Sequence, residues 1–213
     1  NGNSMNGGNG RANLASITNT FVVDSTGAID VSFDNIRIEG EASTGVDVFA
    51  PLPSYSVFDD AIGSGLDIQV YTPENVTTST VAEEGHGNVF KVVKTGGAGN
   101  VSFHVIDAPV SLNHWVATGE LKFDFKVNSK AADSTLLIKM DTGWPQLSDV
   151  NVPLPADGTW GSFSISVADL IARRNSIDPA GIVNINSITN MFVIEPSGAM
   201  DVVFDNVRLV EKP

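Results

Sequence analysis

Three tryptophans and two tyrosines are the side chains of this 213-residue chain with most to offer a ligand. Trp144 sits in Asp141-Thr-Gly-Trp-Pro-Gln146, between two apolar runs, where a loop either presents its ring outward as a stacking plate or tucks it in as an anchor. In Leu66-Asp-Ile-Gln-Val-Tyr71, burying Ile68 and Val70 leaves Asp67, Gln69 and Tyr71 on the opposite face of a strand, as a ligand-facing row or a merely solvated one. His114 and Trp115 precede another strand-like run and are either part of a site or structural, whereas Trp160, at an apolar strand start, reads as core. A flat ring beside planar polar groups is the chemistry that holds a sugar, one for its C–H face and the other for its hydroxyls.

Catalytic patterns are weak by comparison. Acidic residues are abundant enough that some carboxylate pair is always conceivable, but no Glu-x-Asp-x-x-Glu strand motif occurs. His86, His104 and His114 lack metal-ligand spacing, and Gly-x-Ser-x-Gly is absent. With no cysteine the chain has no disulfide, thiolate metal site or cysteine nucleophile. Its net charge of −13 repels phosphate backbones and anionic lipid, so neither nucleic acid nor a membrane is an expected partner. No apolar run reaches the 18 or so residues of a membrane span.

The elements that must position these residues are short strands. They are expected near 55–58, 66–71, 89–94, 101–106, 120–127, 135–140, 148–153, 162–166, 192–194 and 200–210, with one short helix at 167–174. Glu120-Leu-Lys-Phe-Asp-Phe-Lys-Val127 alternates charged and apolar side chains throughout, which means one face in a core and one in water. Ten or so such strands, broken by turn clusters, predict an all-β, antiparallel β-sandwich of jelly-roll type.

One stretch is written twice. Asn13 to Ile38 aligns with Asn184 to Leu209 at a constant offset of 171, with most positions identical. That period is too long for a solenoid repeat of roughly 20 to 50 residues, so the repeating object is a whole domain. Residues 1–40 therefore read as the end of a preceding copy, 41–54 as a Pro-containing linker and 55–213 as one complete copy. Tandem copies suit a binding module, which gains avidity from a second intramolecular contact. Within the repeat the apolar parity changes at Asp34-Asn35 and again at Asp205-Asn206, predicting a one-residue bulge. Such an Asp is either a metal ligand or a residue chosen for backbone tolerance.

The segments 117–128, 137–145, 158–170 and 192–209, in that order and spacing, resemble the non-catalytic C-terminal domain of glycoside hydrolase family 3 exo-β-glucanases. More broadly they are similar to the galactose-binding-like jelly-roll carbohydrate-binding modules. The resemblance covers about residues 55–210, and the first 40 residues match its tail. It implies a module without catalysis of its own, joined in a longer parent chain to a secreted or cell-surface catalytic domain and holding it on a polysaccharide, β-glucan or marine galactan. It also implies a structural calcium (Ca2+), for which Asp59, Asp60, Asn88 and Asp205 are the corresponding residues; calcium takes six to eight hard oxygen ligands. Relatives often carry cysteines near the Gly-Trp-Pro loop, and this chain does not. The alternative is a tandem spacer domain of a cell-surface protein with no sugar affinity.

Overall fold

Alternation of apolar and polar side chains builds the sheets, and the turn glycines and prolines divide them. The computed structural model describes residues 23, 26–28, 30, 32–33 and 54–212. The chain divides into two units, Asn1–Pro51 and Leu52–Pro213, and every strand among the described residues belongs to the second. The sequence pattern also predicts two strands near 19–23 and 29–38; the described residues Val23, Asp30, Ser32 and Phe33 lie in no strand, and the rest, with nearly all of the proposed linker, falls outside the described residues.

The strands are β1 (Ser54–Asp59), β2 (Ala61–Ile62), β3 (Leu66–Tyr71), β4 (Val76–Glu83), β5 (Gly87–Lys94), β6 (Asn100–Val105), β7 (Gly119–Lys130), β8 (Leu136–Asp141), β9 (Leu147–Val152), β10 (Trp160–Ser166), β11 (Asn190–Pro196) and β12 (Met200–Glu211). Two short helices interrupt them, α1 (Trp115–Thr118) and α2 (Val167–Arg173). One sheet has five strands in the order β3-β6-β11-β8-β9. The other has seven: β10-β7-β12-β1-β2, with β5 also on β12 and β4 on β5. All pairings are antiparallel, and the two sheets face each other across an apolar core, as the alternation predicts.

On β7 the inward residues Leu121, Phe123, Phe125 and Val127 are at most 1% exposed. Phe123 contacts Phe125, Phe163, Phe192 and Phe204, with ring centroids 5.2 to 5.8 Å apart. A second aromatic group joins Phe58, Phe90 and Phe103. Each such ring contributes about 1.5–3 kcal/mol through burial. α2 starts where expected: Ser166 Oγ accepts from Asp169 N at 3.0 Å, and the acidic Asp169 lies in the first turn.

The bulge is where the parity change puts it. On β12, Asp205 pairs with Asp124 but Arg208 with Lys122, so one extra residue is accommodated. Asn206 takes it up in the left-handed region at φ 52°. β4 is a strand that the sequence pattern does not predict. Its Thr77-Thr-Ser-Thr80 centre carries no apolar alternation, because the strand pairs only with β5 and much of it faces water.

Candidate carbohydrate-binding face

The outward face of the five-stranded sheet gathers the candidate residues, and register sets them in three rows. The first runs Tyr71, Asn100, Glu195, Leu137, Asn151. Next come Gln69, Ser102, Val193, Lys139 and Asp149. The third is Asp67, His104, Asn190, Asp141 and Leu147. Strand spacing and rise make this grid roughly 19 Å by 13 Å.

Asp67, Gln69 and Tyr71 are all exposed on the edge strand β3, with no side-chain hydrogen bond among the described residues, and Tyr71 leaves 65% of its surface to solvent. Further in, the polar groups are held. Lys139 Nζ lies 2.8 Å from Glu195 Oε2, which also accepts from Asn100 Nδ2 at 3.1 Å. Asp149 accepts from Ser176 N at 3.0 Å and Ser176 Oγ at 2.8 Å. Asp141 Oδ1 accepts from Asn190 Nδ2 at 2.6 Å and Gly143 N at 3.0 Å.

Trp144 stands at the far end of this face, 63% exposed, in the β8–β9 hairpin loop. Gln146 N donates to Gly143 O at 2.8 Å and Thr142 N to Gln146 O at 3.0 Å, closing the loop on itself. The segment after α2 supports it. Asn175, 1% exposed, donates from Nδ2 to Pro145 O at 3.0 Å, and a Cβ on Gly181 would lie 2.0 Å from the same oxygen. The ring is therefore outward on a braced loop and is not tucked in as an anchor. Ile177 and Ile182 are also exposed on the bracing segment.

Two expected site residues do not join this face. Trp115 is 2% exposed and belongs to the core, so it offers no surface for stacking. His114 is exposed but caps α1, whose packing partners are α2, β7 and β12. Trp160, expected in the core, is half-buried on the edge strand β10, where the His86 ring stacks on it with centroids 3.7 Å apart.

Of the four residues corresponding to a calcium site, Asp60 and Asn88 are in contact, and Asp205 is engaged elsewhere. Asp60 Oδ1 accepts from Asn88 N at 2.6 Å, so those two meet, and Asp59 is exposed beside them. Asp205 serves another purpose: its Oδ2 is 3.0 Å from His86 Nδ1, and its Oδ1 accepts from Asn206 N at 2.8 Å. Among the described residues no group of three or more His, Asp or Glu side chains is placed to hold a metal. With an imidazole partner and both oxygens engaged, Asp205 does not present the free hard-oxygen ligand that calcium takes.

No family model and no curated protein matches the chain. Ninety chains of known structure do, and those with a named carbohydrate-binding module among them show the fold to be a jelly-roll β-sandwich of the kind such modules have. The family 11 module from Clostridium thermocellum, in complex with a β-1,3-1,4-mixed-linked tetrasaccharide, superposes with a TM-score of 0.55 at 16% identity, over 76% of this chain and 98% of that one. The exo-1,3/1,4-β-glucanase of a Pseudoalteromonas species gives 0.58 at 15% identity, over 76% of this chain but 21% of the enzyme. Its extra C-terminal domain taken alone gives 0.55 at 13% identity, over 75% of this chain and 93% of that domain.

Proposed function

We propose that residues 55–213 form a non-catalytic carbohydrate-binding module that holds an uncharged polysaccharide along the exposed β3 side of the five-stranded face, since Ser102, Val193, Lys139 and Asp149 further in are buried. The observation that carries this is the row Asp67, Gln69 and Tyr71, exposed and without side-chain partners among the described residues, together with Trp144 exposed on a braced loop of the same sheet. Four carboxylates (Asp67, Glu195, Asp141, Asp149) against one ammonium (Lys139) disfavour a sulfated or uronate-rich polymer. Three of those carboxylates are committed to hydrogen bonds within the protein, leaving no free pair aimed at a common point as glycosidic cleavage requires. β-Glucan is the first ligand to test, because a structure of similar fold holds a mixed-linkage glucan fragment; a neutral galactan is the second.

The same reading makes the chain part of a secreted polysaccharide-degrading enzyme, its catalytic domain elsewhere in the parent protein. Residues 1–40 are the end of a preceding copy and 41–54 a linker. The repeat supports this: the inward residues Phe192, Ile194, Val202, Phe204, Val207 and Leu209 have apolar counterparts in Phe21, Val23, Val31, Phe33, Ile36 and Ile38. Calcium at the Asp60–Asn88 corner is proposed on the resemblance alone. A Tm raised by CaCl2 and lowered by EDTA supports it, and an unchanged Tm removes it.

Affinity electrophoresis through laminarin, mixed-linkage glucan and agarose, with a pull-down on cellulose, tests the function. Retardation or capture by one neutral polymer is expected, with none by carrageenan or alginate. Indifference to every polymer would favour the spacer reading.

A further inference from the structure

The third row of the face contains a chain of hydrogen bonds whose direction is fixed from one end. Asp141, as a carboxylate, only accepts, so the group facing its Oδ1 at 2.6 Å must be the amide nitrogen of Asn190. The opposite assignment would set two oxygens against each other. Asn190 Oδ1 is then the atom 3.0 Å from His104 Nδ1. An amide oxygen cannot donate, so His104 Nδ1 carries the hydrogen. In the neutral ring Nε2 is left as a bare acceptor, and it has no partner among the described residues.

Across the sheet, the residue paired with His104 is Asp67, whose carboxylate is exposed and also without a partner among the described residues. Directly opposed residues hold their Cβ atoms about 5 Å apart. Two neighbouring acceptors thus stand on this face with no donor among the described residues to satisfy them.

Resting on the reading of this face as a sugar-binding surface, we infer that His104 is a ligand-binding residue. Its Nε2 and the Asp67 carboxylate together accept from two free hydroxyls of one sugar residue. The ligand class is accordingly a glycan with unsubstituted neighbouring hydroxyls. Sulfate or other ester groups at those positions remove the donors, and a sulfate also meets the Asp67 charge. Asn190 and Asp141 are positioning residues that hold the ring in the Nδ1–H form.

Two variants separate this role from a structural one. The amide of His104→Asn overlays Nδ1 and keeps the bond to Asn190, but nothing remains at Nε2. His104→Gln does the reverse. Binding is read by affinity electrophoresis in whichever neutral polymer of the panel retards the wild type, and stability by Tm. His104→Asn should weaken binding by about 2- to 12-fold, the worth of one hydrogen bond, with Tm unchanged. His104→Gln should keep most of the affinity while Tm falls. The opposite pattern, with His104→Asn indistinguishable from wild type and His104→Gln impaired in both, overturns the inference and leaves the proposed function standing. Failure of the wild type to bind any polymer removes both.

Discussion

Tyr71 and Trp144 leave 65% and 63% of their surfaces to solvent, so removing either ring costs the fold little and a bound sugar much. Tyr71→Ala and Trp144→Ala should each lose about 1–2 kcal/mol of binding, or about 5- to 30-fold in Kd, while stability stays within about 0.5 kcal/mol of wild type. A variant that lowered Tm without touching affinity would take that ring out of the site. Lys94 makes a prediction of another kind. It is 4% exposed, and its Nζ donates to Gly99 O at 3.0 Å and Pro196 O at 2.6 Å. Burial lowers its pKa, Glu195 opposes the shift and Lys139 adds to it. The unfolded chain therefore holds more protons than the folded one just below the ordinary lysine value, and this group's contribution to stability rises with pH through that window. The unfolding free energy of wild type relative to Lys94→Met should grow as pH rises toward the ordinary lysine value of about 10.5. A flat difference would show that Lys94 titrates alike in both states.

At the scale of elements, the β8–β9 loop and the β12 bulge each depend on one residue. Gly181 lets the bracing segment approach Pro145, and Gly181→Ala would push a methyl group onto its carbonyl. We expect both Tm and glycan affinity to fall, since the displaced loop carries Trp144; loss of Tm alone would mean that the loop does not position the ring. Asn206 donates from Nδ2 to Asp124 Oδ2 at 3.0 Å and to Asp205 Oδ2 at 3.1 Å, bridging two paired carboxylates. Asn206→Ala loses both bonds and must adopt a positive φ, so denaturant unfolding should show a loss of about 1–3 kcal/mol. Asn206→Gly should recover the backbone part alone. The bulge was legible in advance because a parity change is a local pattern, and so was the alternating row on β3. The His104–Asn190–Asp141 chain was not, since its members lie 86 and 49 residues apart and meet only through register. Trp115 misled for a related reason: a tryptophan just before a strand reads the same whether its ring faces water or the core.

Over the whole molecule, charge and shape act together. The chain carries −13 overall, and no helix among the described residues is long and apolar enough to cross a membrane. Raising ionic strength should leave binding of a neutral glucan nearly unchanged, because stacking and hydroxyl contacts are not screened as ion pairs are. A steep salt dependence by affinity electrophoresis would point instead to a charged ligand. The topology also governs how the domain assembles. β12 lies at the centre of the seven-stranded sheet, against β7 on one side and β5 and then β1 on the other. The strand that completes this sheet is thus made last, and its partners wait through the synthesis of about 70 intervening residues after β7. Contacts of such long range fold slowly. The sequence of 13–38 nearly repeats that of 184–209, so we expect it to compete for the same place during folding. Such pairing between copies is a characteristic misassembly of tandem domains. Refolding of 52–213 should therefore be faster and closer to single-exponential than that of 1–213, and a soluble 13–38 peptide should slow it.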